Sequence, residues 1–172
     1  MVKITFTGSH GTGKTTLAHK LVFNLKKENV DVGLLQEVAR ECPFPINEQV
    51  TRKTQIWIIL NQIIKEIELE EKNDILVCDR SILDGYCYYI YKFGRSKTLE
   101  PLIKEHLKTY KYIIKVPIRE GFLVKDKIRS IDPKFQKDID TILNKMLKTF
   151  KIKYIDYKNL EDDFIKSLSI KK

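Results

Sequence analysis

The sequence predicts an α/β protein: a five-stranded, mainly parallel sheet with helices on both faces. Three observations predict it. Short β-branched or aromatic runs alternate with segments whose apolar residues recur at helical spacing. One run, Ile75-Leu76-Val77-Cys78, is apolar at every position, as suits a strand covered on both faces. And Gly8-Ser9-His10-Gly11-Thr12-Gly13-Lys14-Thr15 fits G-x-x-x-x-G-K-[ST] at every fixed position, between a strand pattern and a helix pattern.

The elements follow in order. Val2 to Thr7 is rich in β-branched residues and ends at Gly8, so it reads as the first strand. Leu17, Leu21, Val22 and Leu25 mark a helix from Lys14 to about Glu28. Val30 to Gln36 reads as the second strand, with Glu37 at its end. Cys42-Pro43-Phe44-Pro45 breaks the chain, because each proline disfavours helix before it. A long helix from about Asn47 to Lys72 carries Ile56, Ile59, Leu60, Ile63, Ile64 and Ile67. Ile75 to Cys78 is the third strand, followed by Asp79. Leu83 to Phe93 reads as helix, with Gly94 as its stop. Thr98 and Pro101 start another, to about Thr109. Tyr110 to Val116 is the fourth strand. Residues 118–131 have no clean period. Asp132-Pro133 opens a helix through Phe135, Ile139, Leu143, Met146 and Phe150. Ile152 to Tyr157 is the fifth strand, and Leu160 to about Leu168 a terminal helix.

Composition bounds the function. At 172 residues the chain suits a single domain, 1–172, with one main core. Lys and Arg total 32 against 23 Asp and Glu, and the excess is lopsided. Residues 1–91 hold 11 basic and 12 acidic side chains, whereas residues 92–172 hold 21 and 11. A basic half suits a polyanion or a small phosphorylated ligand. No apolar run is long enough for a transmembrane helix, so no membrane partner is expected. Met1 to Phe6 lacks the build of a secretory signal. Three scattered cysteines, Cys42, Cys78 and Cys87, argue against a disulfide framework and for a reduced, cytoplasmic protein.

The glycine loop carries the most chemistry. Glycines at positions 8, 11 and 13 let the backbone wrap a phosphate, so that the N–H groups of the loop, Ser9, His10 and Thr12 included, face inward. The helix start adds its positive end. Lys14 reaches the β- and γ-phosphates, Thr15 offers its hydroxyl to Mg²⁺, and Thr16 follows on the helix near the nucleotide. Asp79, at the end of an apolar strand, has the Walker B arrangement: a carboxylate that helps hold Mg²⁺. The competing reading of Asp79 is a cap on the next helix.

Asp79-Arg80-Ser81, followed by Asp84 and an aromatic helix, resembles the Asp/Glu-Arg-Ser/Tyr segment of nucleoside and nucleoside-monophosphate kinases. Most of the chain is similar to the P-loop branch that includes thymidylate kinases, deoxynucleoside kinases and the ribosylnicotinamide kinase domain with its AAA-type relatives. The loop from Gly8 to Thr16 is especially similar to the last of these. The resemblance implies a three-layer P-loop NTPase fold with strand order 2-3-1-4-5. It also implies a lid at about 118–131, and an acidic residue at the second strand's end facing the acceptor or the metal.

That residue is Glu37. It either orients an acceptor hydroxyl and takes its proton or pairs with Arg40 on the surface. Arg80 binds a phosphate or a neighbouring carboxylate. Asp84 meets a ribose hydroxyl or sits in a helix's first turn. Phe44, Trp57, Tyr86, Tyr88, Tyr89 and Tyr91 offer base stacking or fill the core. In the lid, Arg119 and Arg129 are candidates for a cis arginine finger. The lid is sparser in arginine than that of thymidylate kinases.

The expected function is Mg²⁺-dependent phosphoryl transfer from ATP, or GTP, to a small nucleoside, nucleotide or related metabolite. Two alternatives stand beside it. One is an ATPase or GTPase switch, disfavoured because Arg80 stands where a water-aligning glutamate would follow Asp79. The other is a nucleic-acid-end kinase, which the basic half permits without any nucleic-acid-binding signature.

Overall fold

The computed structural model describes residues 1–46, 49–119, 121–122 and 131–159. Among them the expected alternation holds: β1 (Val2–Thr7), α1 (Lys14–Lys27), β2 (Val32–Leu35), α2 (Arg52–Glu70), β3 (Ile75–Asp79), α3 (Ile82–Phe93), α4 (Leu99–Leu107), β4 (Tyr112–Lys115), α5 (Pro133–Thr149) and β5 (Ile155–Asp156). The sheet order is β2-β3-β1-β4-β5, and every pairing is parallel. Ile4 aligns with Val77 on one side and Tyr112 on the other, so all strands point their carboxyl ends to one edge.

The period-2 pleat divides the core between the two faces. Ile75 and Val77 of β3 pack with Ile4, Phe6, Ala18, Leu21 and Leu25 beneath α1. Leu76 and Cys78 of the same strand join Ile59, Leu83, Tyr86, Ile103, Phe135 and Leu143 beneath α2 to α5. On this second face β1 presents Lys3, Thr5 and Thr7, all buried.

Element ends differ from the sequence reading where capping decides them. The long helix starts at Arg52, because Thr51 caps it and exchanges hydrogen bonds with Thr54 in a capping box. The fifth strand shortens to two residues, after which Tyr157–Asn159 winds into a 3₁₀ turn. The expected terminal helix from Leu160, most of the lid, and Arg129 within it lie outside the described residues. Among the described residues no helix is long and apolar enough to cross a membrane.

Sheet order reverses at β1, between β3 and β4. A crevice therefore opens there at the carboxyl edge. The loops that follow β1, β2 and β3 converge on it.

Candidate active site

The loop after β1 is shaped by its glycines. A Cβ on Gly8 would meet the Val116 carbonyl oxygen at 2.5 Å, so only glycine lets the loop pass β4 this closely. Gly13 sits at φ +87° and caps α1 without a side chain. The first turn of α1 holds no acidic residue, which leaves its positive end open to an anion. Lys14 is buried and folds back, donating to the Ser9 carbonyl at 2.5 Å and the Thr12 hydroxyl at 3.3 Å. Burial, then the nearby charge of Arg80, lowers the Lys14 ammonium to about 8, against the pull of Asp84, Asp79 and Glu37.

Thr15 Oγ1 donates to Asp79 Oδ2 at 2.6 Å, so the two predicted metal ligands meet at the end of β3. The helix-capping reading of Asp79 gives way to Ser81, which caps α3 in a box with Asp84. Asp84 is also taken out of solvent. Its Oδ2 accepts from Thr7, Ser81 N and Ser81 Oγ, and its Oδ1 accepts from Gly8 N at 2.9 Å. It braces the glycine loop to α3.

Arg80 stands at φ +114°, a backbone conformation rare for a side chain of this size. Several contacts hold it there. Its Nε donates to Glu37 Oε1 at 2.6 Å, its guanidinium lies 5.7 Å from the Tyr88 ring centre, and its carbonyl accepts from Gln62 Nε2 at 3.2 Å. Gln62 also donates to Glu66 Oε1. Glu66 is fully buried and gathers Tyr110 at 2.6 Å, Lys3 at 2.9 Å and His106 at 2.7 Å. Tyr110 in turn accepts from Ile82 N. A buried polar chain thus runs from Lys3 to the Arg80 carbonyl and the Ile82 amide.

Glu37 meets both of its expected partners, Arg80 on one oxygen and Arg40 at 3.2 Å on the other. Burial alone would raise its carboxyl, but the charges of Arg80, Lys14 and Arg40 hold it below the usual value. Burial likewise works against the Arg80 cation, and Glu37, Tyr88, Asp84 and Asp79 together outweigh it.

Two cavities meet at this pair. One, of about 370 Å³, is lined by Gly11 to Thr16, Asp79, Gly121 and Phe122. The other, of about 70 Å³, runs between α2 and α3 past Val38, Ile58, Ile59, Gln62 and Tyr88. Glu37 and Arg80 line both.

A family model described as an AAA domain matches residues 3–162. The chain belongs to the AAA domain family. This AAA domain is 30% identical over 109 residues to thymidylate kinase of Acholeplasma laidlawii (strain PG-8A). That alignment covers 56% of the chain and 53% of the kinase, so the chain spans about half of that relative's length. The structure of deoxyadenosine kinase from M. mycoides with bound dATP shares the fold, at a TM-score of 0.65 and 14% identity over 94% of this chain and 93% of that one. The AAA domain thus has the expected P-loop fold, with the 2-3-1-4-5 sheet.

Within the AAA domain not every expected residue faces the larger cavity. Ser9 is fully buried. His10 turns its ring to the smaller cavity, 3.0 Å from the Tyr88 hydroxyl, and Gln136 of α5 holds its carbonyl. Thr12 turns its hydroxyl to the Ser9 carbonyl, while Thr16 is exposed at the rim. Arg119 stands against the loop: its Nη2 donates to the Thr12 carbonyl at 2.8 Å, and its guanidinium sits 4.0 Å from the Phe122 ring centre and 5.4 Å from that of Tyr157. Of the aromatic cluster, Tyr86 and Tyr89 are core, and Tyr88 lines the smaller cavity. The sequence reading missed Gln55, Ile58 and Gln62. Gln55 is buried against that cavity, and its Oε1 has no hydrogen-bond partner among the described residues.

The residues fit a nucleotide and its cation. The larger cavity joins an open helix N-terminus to an ammonium to which, among the described residues, no carboxylate is hydrogen-bonded. Thr15 and Asp79 supply hard oxygen donors of the kind Mg²⁺ takes beside phosphate oxygens. Among the described residues no group of three His, Cys, Asp or Glu could hold a metal by itself.

Proposed function

We propose that this AAA domain transfers the γ-phosphoryl group of ATP to a hydroxyl of a small nucleoside or related metabolite. The observation that carries the reading is the meeting of the two cavities at Glu37 and Arg80. A triphosphate in the larger cavity and an acceptor in the smaller one would place γ-phosphorus and hydroxyl at that junction. The partial likeness to a thymidylate kinase supports the same class.

Each side chain has work in this scheme. The glycine loop, the α1 N-terminus and Lys14 bind and orient the phosphates. Thr15 and Asp79 would hold Mg²⁺, which when bound neutralises phosphate charge. The acceptor oxygen forms the new bond to γ-phosphorus, the bond to the bridging oxygen breaks, and ADP leaves. Glu37 takes the hydroxyl proton. It is a weak base beside Arg80, which suits a loose transition state in which the proton leaves late. Arg80, fixed by Glu37 and Tyr88, faces the charge on the transferring group. Ile58, Ile59 and Val38 keep the acceptor side dry, and Gln55 offers a buried acceptor oxygen to a polar edge of the substrate.

The test is a panel of nucleosides, ribosides, nucleotides and short oligonucleotides with ATP and with GTP. ADP release that depends on a small acceptor, and that falls about 10²-fold in Glu37→Gln, is expected. Equal turnover without acceptor overturns the kinase reading in favour of a hydrolase. Turnover only on oligonucleotides overturns the small acceptor.

A further inference from the structure

Arg80 is held at φ +114° from two directions, and its side chain accounts for only one of them. Glu37 takes the Nε hydrogen. The backbone is held separately. Gln62 Nε2 donates to the Arg80 carbonyl at 3.2 Å, and the Ile82 amide donates to Tyr110 Oη at 3.1 Å. These bonds lie on either side of Ser81, so together they fix the two peptide planes that follow Arg80. Both lead to one atom. Glu66 Oε1 accepts from Gln62 Nε2 at 2.7 Å and from Tyr110 Oη at 2.6 Å.

The proton count admits one arrangement. Tyr110 gives its hydroxyl hydrogen to Glu66, so its oxygen is left to accept from Ile82. Gln62 divides its two amide hydrogens between Glu66 and Arg80, because its oxygen turned that way would face two acceptors. Lys3 and His106 hold the other oxygen of the carboxylate. An apolar side chain at position 66 would often cost no stability, since a buried ion pair is a weak stabiliser. It could not hold Gln62 and Tyr110 at set angles. Neither Glu66 nor Tyr110 lines either cavity of the site.

We propose that Glu66 and Tyr110 are positioning residues for phosphoryl transfer. With Gln62 they clamp the backbone on both sides of Ser81 and so aim the Arg80 guanidinium at the junction of the two cavities. This rests on the kinase reading above, in which Arg80 faces the transferring group. Arg80 Nη1 is buried, lies 3.9 Å from Asp84 Oδ1 and makes no hydrogen bond among the described residues, so it is a donor left for phosphoryl oxygens. Its aim acts on the rate and not on nucleotide binding, which the glycine loop and Lys14 supply.

The test is Tyr110→Phe, which removes one hydroxyl. Tyr86→Phe is the matched control. The Tyr86 hydroxyl has the same pair of bonds, to Glu100 Oε1 and from Ser96 N, both at 2.9 Å, but it holds the turn after α3 and not the Arg80 segment. Steady-state kinetics use ATP and the panel's best acceptor, well below both melting temperatures. A misplacement of about 1 Å costs on the order of 10²-fold, so losing one of the two backbone holds should lower kcat about tenfold or more. Both KM values should stay within about twofold, and Tyr86→Phe should keep the wild-type kcat. Gln62→Met ends the other hold and should lower kcat likewise; it carries the test if Tyr110→Phe does not fold. A wild-type kcat in the clamp variant, an equal fall in the control, or a loss confined to KM overturns the proposal. A wild-type chain with no acceptor-dependent turnover is a separate result: it overturns the kinase reading, and the clamp's role falls with it.

Discussion

Replacing Glu66 by Gln tests whether the buried polar chain behind Arg80 holds the fold together. The substitution keeps shape and volume, so no cavity arises and only polarity changes. Glu66 Oε1 accepts from Tyr110 and Gln62, while Oε2 accepts from Lys3 and lies 2.7 Å from His106 Nε2. An amide offers one oxygen for these four groups. Whichever way it turns, two of them face an NH₂. Each stranded buried donor costs about 1–3 kcal/mol, and Lys3 loses the better buried of its two carboxylates, keeping Glu70. The expected loss is about 3–5 kcal/mol, the range for breaking a buried ion pair. For a chain of this size that lowers Tm by roughly 10 °C. The assay is urea unfolding followed by circular dichroism at pH 7, repeated down to about pH 2. Burial tends to raise the Glu66 carboxyl, but the hydrogen bond from His106 and the charge of Lys3 outweigh it, so it is held below 4.5 in the fold. Its contribution is complete above that value and drains away as pH falls below it, so wild type and variant should converge in acid. A loss under about 1 kcal/mol at pH 7 would falsify the view that Glu66 is a hub.

Three further outcomes follow from the site. Lys14 is lowered to about 8 by burial and by Arg80, so nucleotide affinity should weaken about tenfold per pH unit above 8. The same depression burdens the empty fold below pH 8 and is relieved as pH rises towards 10.5. Calorimetric titration across pH 7–10 checks the first effect, and a flat profile sinks it. Gly13→Ala puts a side chain at φ +87° with its Cβ 2.6 Å from Arg119 Nη2. Thermal unfolding should show a loss of about 1–2 kcal/mol from the backbone alone, with Arg119 pushed off the loop. Cys78 and Cys87 are buried with thiols pushed well up by burial, so an aromatic disulfide reagent at pH 8 should label Cys42 alone until urea opens the fold.

The fold was legible in the sequence because its signals are local. The glycine loop has fixed spacing, β3 is a continuous apolar run, and each helix keeps its own period. Thr15 and Asp79 were legible for the same reason, since each stands at a recognisable element end. The rest depends on contacts between distant residues. Lys3 reads as a polar position in an alternating strand, and only the packing of α2 brings Glu66, 63 residues on, to its ammonium. Gln55 and Gln62 carry no signal in the sequence, because polar residues between apolar ones suit any exposed helix face, whereas in the fold they are inward polar contacts of α2, two turns apart. Asp84 could be placed in a first turn, but not its bond to Gly8, because that bond crosses between β1 and α3. His10 sits within the loop motif, yet its ring leaves the loop for Tyr88 and Phe135 on α3 and α5.

The backbone of Arg80 has a further consequence for how this protein can change. At φ +114° a glycine would rest without strain, and any β-carbon is held against its preference by about 1–2 kcal/mol. The ion pair with Glu37 outweighs that strain, because leaving the Glu37 carboxylate largely buried and unpaired costs about 3–5 kcal/mol. Position 80 can therefore relax to glycine without loss of stability only after position 37 has given up its charge, so the two residues are tied to an order in which they can change.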